Sequence, residues 1–266
     1  MRSVLSIAGS DSSGGAGIQA DIKTIAALHL FAQTAITSVT AQNTLGVTDV
    51  ENIDPAFVEL QIETVFRDIR PDAVKIGMVP TAACAHAIAH ALASVKAANI
   101  VVDPVMVATS GAELSNPEAV HAVRDELFPL ATVITPNLYE TSILLGRSVE
   151  TPAEQEQAAC ELARRFAGPA VLVKGGHLAD DASDVLALPD GTVRRFEARR
   201  IDNPNTHGTG CTLSSAIACG LACEQAVDEA VAQAKAYLTG ALEARLDLGH
   251  GSGPLDHMWN NRRIDR

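Results

Sequence analysis

The chain has 266 residues, 47% of them apolar and 20% charged, an ordinary globular balance that excludes disorder, a collagen-like repeat and a coiled coil. Twenty Lys and Arg against 32 Asp and Glu leave a net charge of −12. That charge repels a phosphate backbone and no basic stripe offsets it, so nucleic acid is not an expected partner. Six Phe, two Tyr and one Trp leave the core to Ala, Val, Leu and Ile.

The stretch before Ser10 is too short for a secretory h-region, and no apolar run reaches about 18 residues. Neither a leader nor a membrane span is expected, and the location reads as cytoplasmic. Five cysteines, Cys84, Cys160, Cys211, Cys219 and Cys223, form no C-x-x-C pair, which fits neither a disulfide framework nor a zinc site.

Short β-branched runs alternate with longer helical segments. A strand over 4–8 leads into a helix over 15–30, and a second strand covers 34–40. An amphipathic helix over 55–70 precedes a strand at 73–76, and an Ala-rich helix over 81–97 precedes one at 100–102. The rhythm resumes with a strand at 133–134, a helix entered at Asn137, a helix over 152–166 and a strand at 171–173. Such alternation needs crossover connections, which predicts the α/β class: a mostly parallel sheet with helices on both faces. Two stretches break the pattern, 44–53 and the pair 184–188 and 192–201 around Asp190-Gly191, and both predict antiparallel edge strands. Helices over 212–221 and 226–245 precede a Gly-rich segment at 249–254. With no repeat or linker, residues 1–266 read as one domain.

Two glycine loops carry the chemistry. Gly9-Ser-Asp-Ser-Ser-Gly-Gly-Ala-Gly17 joins the first strand to the first helix, where glycines let a ligand approach free helix-start amides. Gly9 and Gly14 have Walker A spacing, but Gly15 stands where the Lys belongs, which excludes a standard P-loop. Gly15-Ala-Gly17 matches a relaxed dinucleotide fingerprint, yet residues 22–48 contain no Asp or Glu to bind a ribose, which counts against an oxidoreductase. The second loop, Asn205-Thr-His-Gly-Thr-Gly-Cys-Thr212, sets two glycines before a thiol. Amides of Gly208, Thr209 and Gly210 can cradle an anion, and with the helix dipole they favour a thiolate at Cys211. His207 alone reads as a surface or hydrogen-bonding residue.

Ligands of an open parallel sheet bind beyond the carboxyl ends of its strands. Asp103 follows one such strand, Asn137 and Glu140 another, and Lys174 a third. Two acids and a cation around an anion cradle suit magnesium-assisted phosphoryl transfer. Each residue also has a structural explanation: a capping box for Asn137 and Glu140, a turn for Asp103-Pro104, a solvated strand end for Lys174.

With these segments, together with Val39-Thr-Ala-Gln-Asn-Thr44, Lys75-Ile-Gly-Met78, Asp103-Pro-Val-Met106 and Gly249-His-Gly-Ser-Gly-Pro254, the chain resembles the ribokinase-like superfamily. Within it, the chain is most similar to the hydroxymethylpyrimidine/phosphomethylpyrimidine kinases of thiamine biosynthesis. The resemblance implies a three-layer fold and phosphorylation, with ATP and Mg2+, of a hydroxymethyl group and then of the resulting monophosphate. It implies that Gln42 reads an aminopyrimidine edge and that Met78 and Val105 flank the ring. Gly9, Ala16 and Asp21 complete the substrate wall. Lys174, Thr209 and Asn137 meet ATP, Asp103 and Glu140 serve the metal, and Cys211 acts as base beside Gly208 and Gly210. A homodimer is implied by analogy. His29 and Ala32 stand where relatives usually carry Gly, at a cost of about 1 kcal/mol if the backbone is left-handed, and Met78-Val79-Pro80 departs from the commoner run. Alternatives are a pyridoxal kinase on the same scaffold, which shares the DPVM and GTGC segments, or a catalytically silent pyrimidine-binding sensor.

Overall fold

The computed structural model describes residues 1–106, 116–176 and 182–261. Its first strand, β1 (Ser3–Asp11), is buried on both faces and pairs in parallel with β2 (Phe31–Asn43) on one side and β4 (Ala73–Ile76) on the other. The parallel ladder continues through β5 (Ile100–Val102), β6 (Val133–Ile134) and β7 (Ala170–Val173). β3 (Gly46–Asn52) adds antiparallel to β2 at one edge, and β8 (Asp184–Ala187) and β9 (Val193–Phe196) form an antiparallel hairpin at the other. The sheet order is β3-β2-β1-β4-β5-β6-β7-β8-β9. Runs such as Ala-Val-Lys-Ile and Ala-Val-Leu-Val are fully buried because crossover helices cover both faces of a parallel sheet.

Helices α1 (Gly17–Ala27), α7 (Thr209–Ala222) and α8 (Val227–Glu243) pack on one face, where Ile25, Leu213, Ile217, Val231 and Leu238 join Val4, Val101 and Leu172. On the other face α2 (Pro55–Asp68), α3 (Ala82–Ser94), α5 (Leu138–Leu145) and α6 (Pro152–Phe166) bring Ile62, Ile88, Leu144 and Leu162 against Leu5, Ile76 and Val171. The result is the three-layer architecture the resemblance implies.

Several boundaries differ from the reading of the sequence, each for a local reason. α1 begins at Gly17 rather than at 15, because Asp11 Oδ2 accepts from the backbone N–H groups of Gly15 and Ala16 and keeps them in the loop. α7 begins at Thr209 rather than at 212, capped by Gly208 at φ +87°. The last hairpin strand stops at Phe196, and the chain then runs on to the functional loop without regular pairing. A short helix α4 (Pro117–Ala122), followed by a π turn, was not anticipated; Asn116 caps it by accepting from the Ala119 N–H. His29 does adopt the left-handed conformation, at φ +64°, whereas Ala32 lies in β2 with no such demand.

Two register shifts prepare the site. β1 is irregular between Ala8 and Ser10, and β2 between Ala41 and Gln42. A bulge of this kind re-aims side chains at the end of a strand, and both occur where the strands reach the cleft.

Candidate active site

The two glycine loops meet backbone to backbone. A Cβ on Gly208 would overlap the Gly15 carbonyl, and one on Gly17 would overlap the Gly9 carbonyl, so both positions combine positive φ with a contact only glycine permits. Gly208 provides α7 with no side-chain cap, which leaves first-turn N–H groups directed at the cleft with the positive end of the helix dipole behind them. The cleft holds about 960 Å³ and is lined from both loops and from the ends of β1, β4, β5 and β7.

Beside α7 lies a knot of charge. Lys174 Nζ donates to Asp103 Oδ1 at 2.8 Å, and Thr135 and Ser214 hydroxyls donate to the same carboxylate at 3.2 and 3.4 Å. An added Cβ on Gly210 would sit 3.3 Å from Asp103 Oδ2 and 3.4 Å from Lys174 Nζ. Glycine there is what allows the helix start to touch the pair. Burial opposes the charge on Lys174, but Asp103 and Glu140 outweigh it and raise its pKa. Burial also pushes Glu140 well above the usual carboxylate range; Lys174 pulls it back and Asp103 raises it further. Asn137 and Glu140 do form a capping box, at 2.7 and 2.9 Å, so the structural explanation of their spacing holds as well. Both line the cleft too, so cap and site coincide.

Across the cleft, Gly9, Ala16, Gln42, Met78 and Val105 line the same cavity. Gln42 is clasped through its backbone, since its N–H donates to Ser12 Oγ at 2.8 Å while that hydroxyl donates to the Gln42 carbonyl at 2.7 Å. An added Cβ on Gly9 would stand 3.0 Å from Met78 Sδ, so the loop lies against the thioether.

Two expectations need correction. Asp21 does not reach the substrate wall. Its side chain is 0% exposed and accepts from Lys75 Nζ at 3.0 and 2.8 Å, from Ser6 Oγ at 2.5 Å and from Ser215 Oγ at 2.7 Å. Facing inward from α1, it neutralises a buried lysine beneath the site. Nor is Cys211 a thiolate at rest, because burial pushes its thiol up to about 11, with Lys75 and the Gly17 amide only partly opposing. Desolvation outweighs the helix dipole here.

Sequence reasoning gave no role to Lys75 or Asp11, and read His207 only as a surface or hydrogen-bonding residue. Lys75 borders the cleft although wholly buried. Asp11 and His207 link the loops, with His207 Nε2 2.8 Å from Asp11 Oδ2, so the histidine is buried and hydrogen-bonded rather than at the surface. The motif that carries Lys75 was visible, but its partner lies 54 positions away; the Asp11–His207 pair is separated by 196 positions and left no local signal. The segment from Gly249 to Pro254 completes this wall: Thr44 Oγ1 accepts from the N–H groups of His250 and Gly251, both at 3.2 Å, and the Gly253 carbonyl accepts from His207 N–H at 3.2 Å. A second groove of about 800 Å3, between the segment after β9 and α8, contains Arg195, Arg199, Arg200 and Arg245. Its lining carries neither a glycine loop nor a strand-end acid–lysine pair.

The model of the family described as phosphomethylpyrimidine kinase matches residues 11–256. The chain is 49% identical to a hydroxymethylpyrimidine/phosphomethylpyrimidine kinase of Rhizobium meliloti over 95% of its own length and 96% of that protein's. It is 46% identical to the thiamine biosynthesis bifunctional protein ThiED of Geobacter sulfurreducens, covering 96% of this chain and 52% of that longer protein. Among solved structures, an ADP complex of Bacillus subtilis pyridoxal kinase superposes with a TM-score of 0.88 at 38% identity, covering 97% of both chains.

Proposed function

The chain belongs to the phosphomethylpyrimidine kinase family, and from that premise we propose that it moves the terminal phosphoryl group of ATP onto 4-amino-5-hydroxymethyl-2-methylpyrimidine and then onto its monophosphate, within thiamine biosynthesis. One observation carries the reading. A single cleft brings Gln42, Met78 and Val105 on its acceptor side together with Cys211, Lys174 and the Gly208–Gly210 amides on its phosphate side.

The cleft suits the groups the reaction needs. Uncapped amides at the start of a 14-residue helix offer donors for phosphate oxygens. The buried Glu140 carboxylate, its charge disfavoured by its surroundings, is suited to a cation. Mg2+ is an ion that proteins hold by one or two carboxylates together with phosphates and water. Glu140 and Asp103 would hold it, Thr209 and Asn137 would border the nucleotide, and the ion would supply charge neutralisation at the phosphates. Lys174, already held in place by Asp103, lies ready to meet equatorial oxygens as charge builds in the transition state. Cys211 Sγ, beside the loop junction, is the atom we assign to receive the proton of the acceptor alcohol. By family analogy the working unit is a cytoplasmic homodimer; among the described residues no helix is long and apolar enough to cross a membrane.

The likeness to a pyridoxal kinase keeps a second acceptor in play. Release of ADP, measured in parallel with hydroxymethylpyrimidine, its monophosphate and pyridoxal, decides the matter. The proposal expects turnover of both pyrimidines at a kcat/KM at least tenfold above that for pyridoxal. Preference for pyridoxal would replace the substrate assignment, and binding without ADP release would make the protein a sensor.

A further inference from the structure

Lys75 is fully buried and yet borders the cleft. An added Cβ on Gly77 would sit 2.7 Å from its Nζ, so the ammonium lies under the end of β4, where the cleft opens. Hydrogen bonds are unevenly shared between this lysine and its partner. Asp21 Oδ1 accepts from Lys75 Nζ at 3.0 Å and from Ser215 Oγ at 2.7 Å, while Oδ2 accepts from Lys75 Nζ at 2.8 Å and from Ser6 Oγ at 2.5 Å. The carboxylate is thereby saturated. An ammonium has three N–H groups, and among the described residues Asp21 is the only acceptor of its hydrogen bonds. One N–H of a buried cation is left over.

Two helices bring this pair beneath Cys211. The N–H of Gly17, at the start of α1, donates to the Cys211 sulfur near the start of α7. Four residues further along each helix, Asp21 meets Ser215. Positions four apart share one face of a helix, so the two contacts are successive rungs of one ladder, about 5.4 Å apart. Lys75 joins the lower rung at the Asp21 oxygens, which sets its charge about one turn beneath the sulfur. Other charges face Cys211 from the neighbouring elements: Asp21 of α1, Asp103 after β5 and Lys174 after β7. Glu140 of α5 and the Asp11–His207 pair between the loops line the same cleft. Of all these groups Lys75 acts most strongly on the thiol; it favours the anion, and Asp21 and Asp103 oppose it.

We propose that Lys75 is a positioning residue that acts through Cys211: once the thiol is ionised, the ammonium holds the thiolate as a buried ion pair, and Asp21 sets how strongly. The inference rests on the reading of Cys211 as proton acceptor. In the transfer the acceptor O–H proton passes to sulfur and the electron pair it leaves forms the new bond to phosphorus. The P–O bond to ADP breaks, and Lys75 keeps its own proton throughout. A buried ion pair alone adds little to stability, because its solvation is lost. A cation with an unspent N–H beneath a thiol that must ionise lowers the cost of that ionisation.

Alkylation of Cys211 by iodoacetamide at pH 8, followed residue by residue with peptide mass spectrometry, reads the thiolate directly. Lys75→Met should slow it by about threefold or more, because loss of the cation leaves less thiolate and the gain in nucleophilicity offsets only part of that loss. Asp21→Asn removes the opposing charge and should speed it by a similar factor. The kcat for the hydroxymethyl acceptor should move in the same sense in each variant. Shifts of one sign in both variants, or none, would mean that the pair merely holds α1 to α7, and would overturn the proposal. Opposite shifts in alkylation with no change in kcat would leave the ion pair standing and overturn instead the assignment of Cys211 as proton acceptor. If Lys75→Met fails to fold, Lys75→Met combined with Asp21→Leu removes both charges together. That variant should still slow alkylation, since the lysine acts on the sulfur more strongly than the aspartate does.

Discussion

Cys211 lies where helix-start amides favour an anion, yet its surroundings keep it a thiol, pushed up to about 11. If it is the proton acceptor, only about one molecule in ten thousand holds the active thiolate at neutral pH. The rate with the alcohol should then climb about tenfold per pH unit between about pH 6 and 9. The rate with the monophosphate, already an anion, should stay nearly flat, and Cys211→Ala should slow the alcohol reaction at least a hundredfold more than the second phosphorylation. Parallel pH profiles check this, and equal losses for both acceptors would reduce Cys211 to a contact. Asp21 shows what local reading misses. The resemblance set it on the substrate wall, but helical spacing turns it inward toward Lys75. A carboxylate and ammonium at 0% exposure are tolerable only because the Ser6 and Ser215 hydroxyls complete the carboxylate's hydrogen bonds.

At the scale of elements, strands at 73–76, 100–102 and 133–134 were legible because each is a β-branched run with punctuation on both sides, and residues at their ends could be inspected in turn. The end of the last hairpin and the start of α7 were not, because long-range partners set them. The junction of the loops is the element on which most depends. Gly208→Ala would force a side chain into left-handed backbone at φ +87° and against the Gly15 carbonyl, at a cost of about 1 to 3 kcal/mol. It should lower kcat/KM for both pyrimidine acceptors by a similar factor, about a hundredfold, unlike the selective loss expected at Cys211. Steady-state kinetics together with a urea melt would separate the kinetic loss from the stability loss.

For the whole molecule, α1, α7 and α8 lie over one face of a single nine-stranded sheet and the remaining helices over the other. Alternation along the chain foretold that layering, but not which strands would become neighbours: β1 sits between β2 and β4, inside the sheet rather than at its edge. We propose that the described residues form one cooperative unit, since both cores pack on the same continuous sheet. Calorimetry should show one unfolding transition with matching calorimetric and van't Hoff enthalpies. Two separate transitions would mean that the β8–β9 edge, or another part, melts independently.

The segment from Gly249 to Pro254 seals the wall by gripping Thr44 and His207. Those partners are translated well before it, and folding begins while synthesis is still under way. A ribosome stalled just short of Gly249 would therefore display a nearly complete sheet with an unfinished cleft wall, so that emergence of this segment, rather than formation of the sheet, is the moment at which the wall closes.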